Sequence, residues 1–81
     1  MRREERALVN RRAWLDMGDG RPLLECMVVD ISPSGARLAL VDAEQVPETF
    51  SLQLSRYGHP RHCCRTVWRR GDAMGVSFYP D

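Results

Sequence analysis

Apolar and polar residues alternate along most of this chain, and a period of two is the signature of a strand with one buried face. "FSLQLS" is the clearest case: Phe50, Leu52 and Leu54 share one face, with serine and glutamine on the other. "ARLAL" places Ala36, Leu38 and Leu40 together. "RRAWLDM", "LLECMVVDI", "HCCRTVWRR" and "AMGVSFY" read the same way. Gly18-Asp19-Gly20 supplies a hairpin turn after the first of these, and "SPSG", "YGHP" and "RGD" break the others apart. "VDAEQVPET" lacks alternation and carries Pro47, so it is expected to be a loop with one short helical turn. About six short strands with regularly spaced turns predict an all-β domain. In 81 residues a small six-stranded antiparallel β-barrel is expected, because closure removes the exposed strand edges. Residues 1–10 precede the first strand and are expected to form a flexible N-terminal arm, with residues 11–81 as the barrel.

Composition narrows the class. A hydrophobic fraction of 43% is enough for a folded core. No apolar run approaches the roughly 20 residues of a membrane helix, and "MRREER" leads into no apolar signal core. The expected location is the cytoplasm, without membrane insertion. Three cysteines, two of them adjacent, do not make a disulfide framework, and reduced thiols are expected. Cys63 and Cys64 on one strand point to opposite faces, one to the core and one to the surface. "HPRHCC" lacks the second ligand pair that a zinc site needs, so no metal is expected.

Charge is unevenly spread although the net is only +1. All twelve basic residues are arginine. Residues 1–12 hold five arginines against Glu4 and Glu5, residues 13–55 hold two against seven acids, and residues 56–70 hold five and no acid. Basic ends around an acidic middle suggest an anionic partner. Guanidinium makes planar bidentate bonds to phosphate and to the O6/N7 edge of guanine, where lysine offers a point charge. A GC-rich genome would produce the same arginine usage.

Three stretches carry candidate chemistry. "RREER" places Arg2 and Arg6 four positions apart with Arg3 between them; a solvated charged arm would look the same. In "DISPSG", Asp30 and Ser32 end a strand, and Gly35 suits a position of positive φ; a turn capped by Asp30 or Ser32 is the structural alternative. In "VWRRGDAMGVSF", Trp68 beside Arg69 and Arg70 either offers a stacking platform for a base or packs the barrel end. Gly75, Val76 and Phe78 read as structural. No histidine stands in a nucleophile arrangement with Ser32 or a cysteine plus an orienting acid, and there is no phosphate loop or paired-carboxylate motif. An enzyme is not expected, and no catalytic residue is assigned.

Together these pieces resemble the PilZ domain, a small β-barrel that binds the bacterial second messenger cyclic di-GMP. The family signature is R-x-x-x-R in an N-terminal arm followed by D/N-x-S-x-x-G. Arg2 and Arg6 match the first part; Asp30, Ser32 and Gly35 match the second, 24 positions after Arg6. "VWRRGDAMGVSF" is similar to the family's last hairpin. "ECMVVDISPSGARL" and "VPETFSLQL" are similar to the short, single-domain members found in alphaproteobacteria. The resemblance implies that the arm arginines, Arg2 and Arg6, close over the ligand and meet its phosphate oxygens and guanine O6/N7 edges, with Arg3 as an auxiliary contact. It implies that Asp30 accepts from the guanine N1–H and N2–H edge, that Ser32 bonds the ligand or fixes the turn, and that Gly35 shapes the turn. Trp68 would stack on guanine. The ligand is then cyclic di-GMP, there is no cofactor, and ordering of the arm relays the signal to an effector protein. The alternative is an adaptor of the same fold that binds no nucleotide and acts through protein–protein contacts. A third reading, binding of RNA or single-stranded DNA, is disfavoured by an aromatic content of 7%.

Overall fold

The computed structural model describes residues 7–18 and 20–79. Six strands form in chain order: β1 (Ala7–Asp16), β2 (Leu24–Ser32), β3 (Gly35–Ala39), β4 (Thr49–Gln53), β5 (Arg61–Arg70) and β6 (Ala73–Tyr79). They close into an antiparallel barrel in the order β1-β2-β3-β6-β5-β4, with β4 returning to β1 through Trp14–Gln53, Leu15–Leu52 and Asp16–Ser51. A single 3-10 turn, Ala43–Gln45, interrupts the loop between β3 and β4. Asp42 caps it by accepting from the Glu44 amide at 3.1 Å. No helix among the described residues is long and apolar enough to cross a membrane.

The alternation read from the sequence becomes the core. Phe50, Leu52 and Leu54 point inward with Ala36, Leu38 and Leu40, and Ala13, Leu15, Cys26, Val28, Ala43, Val46, Cys64, Met74 and Val76 complete the interior. Full burial of a side chain such as Leu15, Leu38, Leu52 or Met74 stabilises the fold by about 2 kcal/mol. Cys64 is wholly buried and Cys63 half-buried, as expected of neighbours on one strand. Burial pushes the thiols of both Cys26 and Cys64 up to about 12.

Two boundaries differ from the sequence reading. β1 begins at Ala7, so residues 7–10, expected in the arm, are drawn into the sheet: Ala7 pairs with Ile31 and Leu8 with Asp30. A register shift between Leu8 and Arg11, with Asn10 at φ 43°, separates this extension from the rest of β1. The connection between β1 and β2 spans residues 17–23 and is longer than a tight Gly-Asp-Gly hairpin. Gly18 and Gly20 both take positive φ there.

Candidate functional site

Strand period alone would bury Asp30. Cys26 and Val28 on β2 face the core, and the next residue in that series is Asp30. A β-bulge intervenes: Val28 pairs with Leu38, Val29 is extra, and Asp30 pairs with Arg37. The added residue switches every later side chain to the other face, so Asp30 lands beside the outward-facing Arg37. β5 repeats the device. Thr66 pairs with Val76, Val67 is extra, and Trp68 pairs with Gly75. Two bulges therefore bring Asp30 and Trp68 to the same outer face of the barrel.

They also bring them into one row. Leu8, Asp30, Arg37, Gly75 and Trp68 are successive cross-strand partners on β1, β2, β3, β6 and β5. Three strand spacings separate Asp30 from Trp68, about 14 Å along the sheet. Between them lie Arg37 and a glycine.

Asp30 does not present its carboxylate to solvent; it is 2% exposed. Arg37 Nε donates to Asp30 Oδ2 at 3.0 Å, and Arg37 Nη2 donates to the same oxygen. The Arg37 side chain is half-exposed at 52%. The carboxylate thus orients a guanidinium whose outer part faces solvent. Arg37 was not among the residues singled out from the sequence, yet a signal existed. A two-residue turn at Pro33-Ser34 sets Ser32 opposite Gly35, and counting back places residue 30 opposite 37.

Ser32 is buried, and its Oγ donates to the Gly35 carbonyl at 3.4 Å, closing the hairpin. Gly35 was expected to need positive φ, and it does not: the positive-φ glycines are Gly18, Gly20, Gly58 and Gly71. Its requirement is space. A Cβ there would lie 2.2 Å from the Val76 carbonyl oxygen, so glycine lets β3 close against β6.

Trp68 is 42% exposed and lies across Gly75. A Cβ on Gly75 would meet Nε1, Cε2 and Cδ1 of the indole at 2.2, 2.6 and 2.8 Å. Such similar distances fit an approach onto the ring face; approach along the N–H bond would hold the two carbons much further off. The ring lies flat on the strand with its other face turned outward. Two clefts flank it. One of about 390 Å³ is lined by Ala36, Arg37, Val67, Trp68, Gly75 and Val76, and one of about 340 Å³ by Arg37, Trp68, Arg70 and Ala73. Arg37 and Trp68 border both.

The basic run of residues 56–70 is not one patch. Arg61 pairs with Asp16 at 3.0 Å, and Arg65 lies over the Tyr79 ring at 5.9 Å. Arg69 turns away from Trp68 and donates to the carbonyls of Ala43 (3.1 Å) and Val46. Arg70 remains beside the Trp68 cleft. Arg2, Arg3 and Arg6 lie outside the described residues. Among the described residues, no three His, Cys, Asp or Glu side chains are placed to hold a metal ion.

The family model of the PilZ domain matches residues 1–81, the whole chain. No curated protein matches it.

Proposed function

The chain belongs to the PilZ domain family, and on that premise we propose that it is a receptor for cyclic di-GMP. The family is one of cyclic di-GMP-binding domains, and its members are typically binding modules without enzymatic activity. The ligand sits on the outer face of the barrel, along the row from Asp30 to Trp68. The observation that carries this reading is the pair of bulges at Val29 and Val67, which turn an acid and an indole out of the core series onto one face. Bulges that re-aim side chains at an otherwise regular sheet accompany binding sites.

Each residue then has a role suited to a ligand with two guanines and two phosphates. The outward face of Trp68 takes a guanine by stacking. Arg37 and Arg70 border the clefts on either side of that ring and supply cationic donors. Arg2 and Arg6 close over the phosphates, with Arg3 assisting. Ser32 and Gly35 set the hairpin that carries Asp30 and Arg37. Closure of the N-terminal segment changes the surface offered to an effector protein, which is how the signal leaves the domain. Fixing each backbone residue costs about 1–2 kcal/mol, which the arginine–phosphate bonds must exceed.

The adaptor reading, without nucleotide, draws on the closed Asp30–Arg37 pair, which already satisfies part of the acid. Calorimetry separates the two. Saturable micromolar binding of cyclic di-GMP, abolished in Arg6→Ala and in Asp30→Ala, supports the receptor. Absence of heat at millimolar ligand supports the adaptor.

A further inference from the structure

We propose that the groove at the open end of the β2–β3 hairpin, away from its Pro33-Ser34 turn, docks a segment of the effector protein. That segment carries an aliphatic or aromatic anchor flanked by arginine or lysine. Such docking rests on the relay to an effector assigned above, and it holds for receptor and adaptor alike.

The groove is apolar where the fold leaves aliphatic side chains uncovered. Leu40 and Ala43 turn inward at 7% and 0% exposure, whereas Val41 between them is 93% exposed. Met27, paired with Ala39 across β2 and β3, is 40% exposed. Met27 and Val41 form the sides of a cleft of about 760 Å³, with the buried Cys26 and Leu40 as its floor and Glu25 and Asp72 at its rim. Methionine is unbranched and adapts its shape to an incoming side chain.

The rim is acidic. Residues 40–48 hold Asp42, Glu44 and Glu48 and no base. Two backbone bonds bring the β5–β6 turn alongside them. The Leu40 amide donates to the Asp72 carbonyl at 2.9 Å, and the Ala43 amide donates to the Gly71 carbonyl at 3.2 Å. Asp72 thereby joins the acids beside Val41. Nearby bases are engaged elsewhere: Arg12 pairs with Glu25 at 2.8 Å, and Arg69 donates to the carbonyls of Ala43 and Val46. Among the described residues, nothing pairs with the carboxylates of Glu44, Glu48 and Asp72.

An apolar cleft beside unneutralised acids selects its occupant by charge. Nucleic acid and anionic lipid carry the sign of the rim and are repelled. A protein segment with an apolar anchor and flanking cations satisfies both features. The anchor covers Val41 and Met27, and the cations meet Asp72, Asp42 and Glu44, giving an apolar centre with a charged rim. The position suits a relay. Ala39, which also lines this cleft, pairs with Ala73, which lines the cleft shared by Trp68 and Arg70. The two surfaces adjoin without sharing a charged residue.

Selection from a random peptide library displayed on phage, with the intact chain immobilised and no nucleotide present, tests the docking surface. Enriched peptides should share an aliphatic or aromatic residue with arginine or lysine beside it. A synthetic peptide of that consensus, titrated into the isotope-labelled chain, should shift the amides of Met27, Val41 and Asp72 and leave the Trp68 indole N–H in place. By fluorescence anisotropy, Val41→Ser should weaken the peptide about tenfold. Asp72→Asn should weaken it about threefold, and so should a rise from about 50 to about 300 mM salt. Both residues are exposed, so neither change removes a core contact. No enrichment, a consensus without basic residues, binding unchanged by Val41→Ser, or shifts centred on Trp68 overturns the assignment. So does a dimer in sedimentation that Val41→Ser dissolves, which would make a second copy the occupant. None of these results touches cyclic di-GMP binding, and absence of that binding in calorimetry removes the receptor reading alone.

Discussion

The indole of Trp68 lies face-down on the backbone of Gly75, its cross-strand partner across the β5–β6 hairpin. A glycine leaves a hole in the sheet surface, and the aromatic ring opposite covers it. The arrangement also fixes which face of the ring is open.

Gly75→Ala should therefore lift the ring rather than break the sheet. The obstructing atoms belong to a side chain that can rotate away, so the stability cost should be about 1 kcal/mol, with a red shift in Trp68 fluorescence. Gly35→Ala should cost more, about 3 kcal/mol, because its Cβ would strike the Val76 carbonyl at 2.2 Å and backbone must move. Urea denaturation of the two variants ranks them; equal costs would contradict the contrast.

The buried thiols set an alkaline limit. Cys26 and Cys64 are raised from 9.0 to about 12 in the fold, so the folded state keeps protons that the unfolded chain releases. Their contribution to stability is present below about pH 9 and is lost as pH rises from 9 towards 12. Each thiol should add a slope of about 1.4 kcal/mol per pH unit in that window. Urea midpoints from pH 7 to 11 check it, and Cys64→Ala should flatten the slope. Thiol labelling at pH 8 should modify Cys63 well before the other two.

Arg69 anchors the loop over residues 41–48. Its guanidinium bonds the carbonyls of Ala43 and Val46, and the Ala43 amide donates to the Gly71 carbonyl at 3.2 Å. Arg69→Met keeps the aliphatic stem and should cost about 1–2 kcal/mol. Amide exchange at Ala43 and Val46 should quicken while Phe50 and Leu52 stay protected. Unchanged exchange in that loop would remove the anchoring role.

Much of the barrel was legible because a buried face imposes alternation. Phe50, Leu52 and Leu54, or Ala36, Leu38 and Leu40, announce their strands and their inward side in the order of residues. The β-bulges were not legible. Nothing in "CMVVDIS" marks Val29 as the extra residue, and strict period two would have placed Asp30 in the core with Val28. The same holds for Val67 and Trp68. Gly35 was noticed for the wrong physical reason, since a close carbonyl and a positive φ leave the same residue in the sequence. Arg37 was reachable from the turn at Pro33-Ser34 by register counting, but a motif read as D-x-S-x-x-G stops two residues short of it. The run of arginines over residues 56–70 concealed a division of labour that depends on which way each side chain leaves the strand.

We propose that cyclic di-GMP binds the outer row that runs from Asp30 to Trp68. The most direct measurement is a titration of the isotope-labelled chain followed by nuclear magnetic resonance at two side-chain signals, the Trp68 indole N–H and the Arg37 Nε–H. Binding there produces saturable shifts of both signals at the same ligand concentration, with the Gly75 amide moving alongside. Binding that leaves both signals in place, or no shift anywhere at millimolar ligand, would contradict it.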